Sequence, residues 1–280
     1  MKSDLPTSPL WLHNGELQEA DHGVLSAAEI GRLNGTGLFE TIPLYEGIPF
    51  ALADHWERLT TGASRFGLPC PSLESLASSL SLLAEHNDAR QWPLARARVT
   101  LLSTSGSSGT VHEVIEVGAP PSHPETARVI LLPYRRNEKG ALTGIKSINY
   151  GENTVALCEA REHGADEAIF ANTQDLLCEG IWTNLFVKID GGWTTPFLSS
   201  GCLPGVTRKH VLELADEIVE SEIPMNLSDE IESAFLTSSM REIQPIATID
   251  GRELSSPEDP DISRWQQDYR ETVSRSFSSP

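Results

Sequence analysis

The sequence predicts an α+β protein of two domains. Amphipathic helices and period-two strands are interleaved in the first part of the chain. Gly118-Ala119-Pro120-Pro121-Ser122-His123-Pro124 then breaks the pattern, because prolines in series cannot continue a strand ladder. Beyond that break strands outnumber helices, which speaks against a regular βαβ sheet. A chain of 280 residues has room for two modest domains. The expected division is 1–119, a linker at 120–126, and 127–280.

In chain order, residues 10–23 alternate around Asn14-Gly15 and predict a short hairpin. Gly31, Gly35 and Gly37 punctuate a loop, residues 38–45 read as a strand, and Glu46-Gly47 as a turn. Residues 52–66 place Leu52, Trp56, Leu59, Ala63 and Phe66 on one helical face. Residues 72–86 form a second helix, with Ser72 and Ser75 available as caps. Residues 94–102 and 113–117 are strands, separated by a Ser/Gly tract at 103–110.

In the second half, residues 128–134 read as a strand and 153–163 as a helix stopped by Gly164. Strands follow at 167–171 and 185–189, with Asp190-Gly191-Gly192 as the turn. A helix is expected from Val206 to about Glu220. A last strand spans 234–237, and Trp265 and Tyr269 anchor a short helix in the polar tail.

Composition narrows the function. Apolar residues make up 39% and charged residues 22% of the chain, as in an ordinary soluble globular protein. No apolar run approaches the roughly 20 residues that span a bilayer. The first residues hold no apolar core of a secretory signal, so a cytoplasmic location is expected. A net charge of -19 speaks against nucleic acid and against an anionic membrane surface. Cys70, Cys158, Cys178 and Cys202 fit no zinc spacing, so free thiols and no metal are expected.

Several residues stand out for chemistry. Lys146 lies among Gly144, Ile145 and Ile148, and partial desolvation would favour its reaction with a carbonyl. Taken alone, it reads first as a surface lysine at a loop end. Glu179 is a lone carboxylate ahead of a strand, suited to a protonated ring nitrogen but equally to an exposed loop. Tyr150, four residues after Lys146, could contact a phenolic oxygen or simply fill a core. Leu203-Pro204-Gly205-Val206-Thr207-Arg208 opens a helix, and the N–H groups of Val206 and Thr207 would face an anion at its positive end. Thr237-Ser238-Ser239 is a second donor-rich turn.

These pieces occur together and in order. K-S-x-N-Y, E-G-x-x-x-N-L-F, L-P-G-V-T-R and T-S-S-x-R-E-I-Q-P-I are joined by G-x-G-L-F-E-T at residues 35–41 and by His55-Trp56-Glu57-Arg58-Leu59. The set resembles the class IV aminotransferase family, the fold type IV enzymes that use pyridoxal 5'-phosphate (PLP). The resemblance implies a small N-terminal α/β sandwich domain and a larger C-terminal pseudo-barrel domain, assembled as a homodimer. It implies that Lys146 carries the cofactor and moves protons, that Glu179 meets the pyridine nitrogen, and that Tyr150 meets the phenolic oxygen. By the same resemblance Arg58, Val206, Thr207, Ser238 and Ser239 hold the phosphate, and Leu203 packs on the ring.

Within the family, the stretch from residue 150 to 208 looks most like the 4-amino-4-deoxychorismate lyases of folate biosynthesis, which release pyruvate and 4-aminobenzoate. Transaminases of D-amino acids, branched-chain amino acids or amines are the alternative. The substrate side departs from the family pattern. Asn34 replaces a tyrosine that often faces the substrate, and Glu40 stands where some of the lyases carry a threonine. The family's Arg-Gly after the third strand is absent, which leaves Arg96 or Arg98 to meet a carboxylate. Asn34, Glu40 and Arg98 are therefore the expected substrate contacts.

Overall fold

The computed structural model describes residues 10–19, 35–103 and 111–278. Within these the chain forms two compact units. The first runs to Pro121 and takes in Lys146–Asn149; the second comprises Ser122–Ile145 and Tyr150 onward.

The first unit is built on a six-stranded antiparallel sheet. Its strands are β1 (Leu10–His13), β2 (Glu16–Glu19), β3 (Gly37–Tyr45), β4 (Ile48–Pro49), β5 (Leu94–Ser103) and β6 (Val111–Gly118), in spatial order β2-β1-β6-β5-β3-β4. Asn14 and Gly15 both take positive φ, 51° and 82°, the geometry that closes the first hairpin without splaying its strands. Helices α1 (Leu52–Phe66) and α2 (Leu73–His86) match the expected ranges. Ser72 caps α2, its hydroxyl accepting from the Ser75 N–H at 3.1 Å. Alternation along β5 buries Ala95, Ala97 and Val99 and leaves Arg96 and Arg98 together on the opposite face. After the break, residues 146–149 return to this unit: Phe39 N–H donates to the Lys146 carbonyl at 3.0 Å, and Ile148 N–H to that of Gly37 at 3.0 Å.

The second unit holds a mixed nine-stranded sheet. Its strands are β7 (Ala127–Arg136), β8 (Glu167–Asn172), β9 (Leu177–Gly180), β10 (Asn184–Ile189), β11 (Gly192–Pro196), β12 (Val219–Ser221), β13 (Ser233–Ser238), β14 (Glu242–Ile249) and β15 (Arg252–Glu253). Its order is β12-β11-β10-β13-β14-β7-β8-β9, with β15 paired to β14. Helix α3 (Gly151–Glu162) connects the parallel pair β7 and β8, and a second helix connects the parallel pair β11 and β12, so two βαβ crossovers sit in a mixed sheet. Helices α4 (Val206–Leu214) and α5 (Pro260–Ser278) complete it. Among the described residues no helix is long and apolar enough to cross a membrane.

Four expectations change. The helix from Val206 ends at Leu214 rather than near Glu220, because 219–221 pairs with β11 as a parallel strand. Glu179 lies inside β9, opposite Phe170 of β8, rather than ahead of a strand. Residues 234–237 are not the last strand. Strand β14 follows in the interior of the sheet despite Pro245, whose missing N–H is tolerated beside a register shift between Ile246 and Thr248. The tail helix is long, 19 residues, because Trp265 and Tyr269 are both buried to 1% exposure and dock it.

Candidate active site

Two groups of the expected residues are brought together, one in each unit. In the first, Lys146 lies partly buried on the segment that bridges to β3. Its Nζ sits over the Phe39 ring, 4.5 Å from the centroid, and the Arg98 guanidinium sits over the same ring at 3.9 Å. An amine and a guanidinium thus lie against one aromatic side chain.

Next to Phe39 along β3, Glu40 points to the opposite face, as strand alternation requires. It is 1% exposed. Its Oε1 accepts from Arg58 Nε at 2.8 Å, and its Oε2 meets Arg58 Nη2 at 2.6 Å and His55 Nδ1 at 2.8 Å. Helical spacing supplies both partners, since His55 and Arg58 are three residues apart on α1 and share a face. Burial would raise the Glu40 carboxyl, but the charge and hydrogen bonds of Arg58, aided by His55, bring it down to about 2. Burial drives the His55 imidazole below its usual value, against the pull of Glu40. Glu40 was expected at the substrate; its oxygens are engaged by Arg58 and His55.

In the second unit, Glu179 Oε2 accepts from Leu203 N–H at 2.8 Å, and Arg136 Nε lies 3.5 Å from Oε1. Arg136 is itself braced over the Phe170 ring, 4.1 Å from its centroid. The Leu203 carbonyl accepts from Asn184 Nδ2 at 2.8 Å. Asn184 opens β10 and pairs with Thr237 of β13, so it links the Leu203 turn to the strand end that leads into Ser238 and Ser239. Gly205 is the N-cap of α4, with Val206 and Thr207 buried in its first turn. A Cβ on Gly205 would stand 1.9 Å from Asn184 Oδ1, so only glycine lets the turn close on that side chain. Tyr150 stacks on Trp182, centroids 5.0 Å apart and planes at 17°.

Asn34 and most of the 103–109 tract lie outside the described residues. Cys178 and Cys202 are buried, and burial pushes both thiols up, Cys202 to about 11, so neither offers a thiolate at neutral pH.

The amino-transferase class IV family profile matches residues 37–249. The chain belongs to that family. The class IV relatives include the aminodeoxychorismate lyase of Bacillus subtilis, 28% identical over 93% of this chain and 93% of its own. The D-alanine aminotransferase of Bacillus licheniformis is 30% identical over 88% and 90%. Among solved structures, the branched-chain aminotransferase of Thermoproteus uzoniensis with norvaline superposes at a TM-score of 0.84, with 26% identity over 95% of both chains. The fold is that of the fold type IV enzymes. As a class IV member the chain is a PLP-dependent enzyme that binds small-molecule substrates.

The donor set of the second unit fits that cofactor. It offers a carboxylate held in place by a backbone N–H for a protonated ring nitrogen. It also offers a glycine-floored helix N-terminus beside a serine turn for a phosphate. Phe39, Arg136, Asn184 and Trp182 were not singled out from the sequence. Asn184 and Phe39 carried a signal, as the N of E-G-x-x-x-N-L-F and the F of G-x-G-L-F-E-T; Arg136 and Trp182 are brought in by the tertiary fold.

Proposed function

We propose that the chain is a 4-amino-4-deoxychorismate lyase that releases pyruvate and 4-aminobenzoate. The observation that carries this reading is the placement of the Lys146 amine and the Arg98 guanidinium over one Phe39 ring. An amine for proton transfer and a cation for a substrate carboxylate then stand against one aromatic side chain. The 150–208 run and the Bacillus subtilis relative direct the reading to the lyase.

In this reading Lys146 binds PLP, Glu179 holds the protonated ring nitrogen, and Tyr150 meets the phenolic oxygen. Leu203 packs on the ring, while Arg58, Val206, Thr207, Ser238 and Ser239 hold the phosphate. Bound PLP supplies an electron sink conjugated to the substrate nitrogen. As a free amine, Lys146 would remove the proton from the carbon bearing the substrate amine. The carbon–oxygen bond between the ring and the enolpyruvyl group would then break, Lys146 would return the proton to that three-carbon enol to give pyruvate, and the ring left behind would be aromatic. Arg98 holds a substrate carboxylate and Asn34 faces the substrate. Glu40 contributes by fixing the fork of Arg58. The proposal includes domains 1–119 and 127–280 joined at 120–126, a homodimer, a cytoplasmic setting and a place in folate synthesis.

A specific observation favours the second reading, transamination: a glutamate at position 40 is more typical of transaminases, and the Bacillus licheniformis relative is a D-alanine aminotransferase. Incubation with aminodeoxychorismate decides between them. Fluorescent 4-aminobenzoate is expected, and Lys146→Ala should abolish it with the fold intact. No product, together with conversion of PLP to its amine form by D-alanine or L-leucine, would establish the transaminase.

A further inference from the structure

One buried ion pair has no part in the site described so far. Glu167 opens β8 and is 0% exposed. Its Oε1 accepts from the Ile181 N–H at 2.8 Å, two residues past Glu179. Its Oε2 lies 3.0 Å from Arg241 Nη2, on a side chain only 5% exposed. Arg241 is held at several further points. Its Nη1 donates to Gln244 Oε1 at 2.7 Å, its Nη2 to the Asp166 carbonyl at 3.4 Å, and its backbone N–H to Ser238 Oγ at 3.2 Å. Gln244 in turn donates from Nε2 to the Pro124 carbonyl at 2.5 Å.

Burying two charges costs desolvation that an apolar pair would avoid, so such a pair is best explained by the position it enforces. Here one carboxylate grips the segment after Glu179 with one oxygen and the turn after β13 with the other. We propose that Glu167 and Arg241 are positioning residues that clasp the 238–241 turn, so that Ser238 and Ser239 present their donors to the phosphate of PLP. The inference rests on the assignment of those serines to the phosphate in the reading above. Ser238 shows how the clasp acts: its oxygen is turned back onto the Arg241 N–H, which leaves its own hydrogen to donate outward. The burial that favours this geometry also pushes the Glu167 carboxyl up, to about 7, against the charge of Arg241.

The test compares PLP with pyridoxal, which lacks the phosphate, in titrations of apo-protein followed by absorbance, with melting of the apo-protein measured alongside. Glu167→Gln keeps an acceptor for Ile181 and removes the charge that holds Arg241; Arg241→Gln removes the other partner. Each is expected to weaken PLP about tenfold while leaving pyridoxal within about twofold, and the double variant to be no worse than either single. A role in stability alone lowers the melting temperature and weakens both ligands alike, which overturns the inference. Arg241→Lys keeps a cation opposite Glu167 and covers the case in which the glutamine variants do not fold. It should show an intermediate PLP-to-pyridoxal ratio, and an unchanged ratio overturns the clasp. Wild-type protein with no preference for PLP over pyridoxal defeats the cofactor reading itself, a result distinct from variants that keep the wild-type preference.

Discussion

Glu40 shows how a side chain read for one role can serve another. Its carboxyl is depressed to about 2 in the folded chain, so the stability it contributes is complete above the ordinary carboxylate range and is lost as pH falls toward 2. Glu40→Gln should therefore flatten the acid limb between about pH 4.5 and 2 in denaturant titrations, while wild-type protein loses stability there. An equally steep limb in the variant would remove Glu40 from the Arg58 assignment. At Gly205 the constraint is space. Gly205→Ala drives a methyl into the Asn184 amide and must displace the Leu203 turn. The expected result is PLP affinity lowered about tenfold or more, read by titration of apo-protein, with unfolding free energy lowered by no more than about 1–3 kcal/mol.

At the scale of elements, the long tail helix is the clearest case of packing overriding composition. Its sequence is polar, yet Trp265 lies edge-on to Trp193, centroids 5.1 Å apart, and 5.6 Å from Phe235, which itself stacks on Phe186 at 4.5 Å. Trp265→Ala should cost about 3–5 kcal/mol in urea unfolding. A loss under about 1 kcal/mol would mean that α5 is not docked through this residue. Lys188 joins the same region, its Nζ 3.2 Å from Asp259 and 3.4 Å from Asp261 at the start of the helix.

For the whole molecule, charge is the dominant feature. A net charge of -19 repels itself in the compact state. Raising ionic strength from about 0.01 M to about 0.15 M shortens the screening length from roughly 30 Å to roughly 8 Å. The melting temperature should rise across that range, and a fall would assign the acidic surface a different balance. Light scattering is expected to give twice the mass of one chain, and limited proteolysis to cut first within 120–126.

How much was legible without coordinates follows from the range of the interactions involved. Helices α1 and α2 were visible to within a residue because periodicity, the Ser72 cap and flanking turns are written within a few positions of one another. The first hairpin was visible because Asn14-Gly15 is suited to positive φ at both residues. The family motifs were visible for the same reason, each being a local string. Strand β14 was hidden because Pro245 argues against a central strand, and only its partners β13 and β7 keep it there. Arg98 and Lys146 lie far apart in sequence and meet over Phe39 only through the pairing of β3 with β5 and with residues 146–149. Glu167 and Arg241 are more distant still; Arg241 falls in the T-S-S-x-R-E-I-Q-P-I string, but nothing local connects it to Glu167. The chain alone therefore determined helices α1 and α2, the first hairpin turn and the family, and it singled out Lys146 as the candidate amine, since these depend on neighbours in sequence. Tertiary structure decided which side chains hold the site in place, because strand register and burial bring together residues that no periodicity connects.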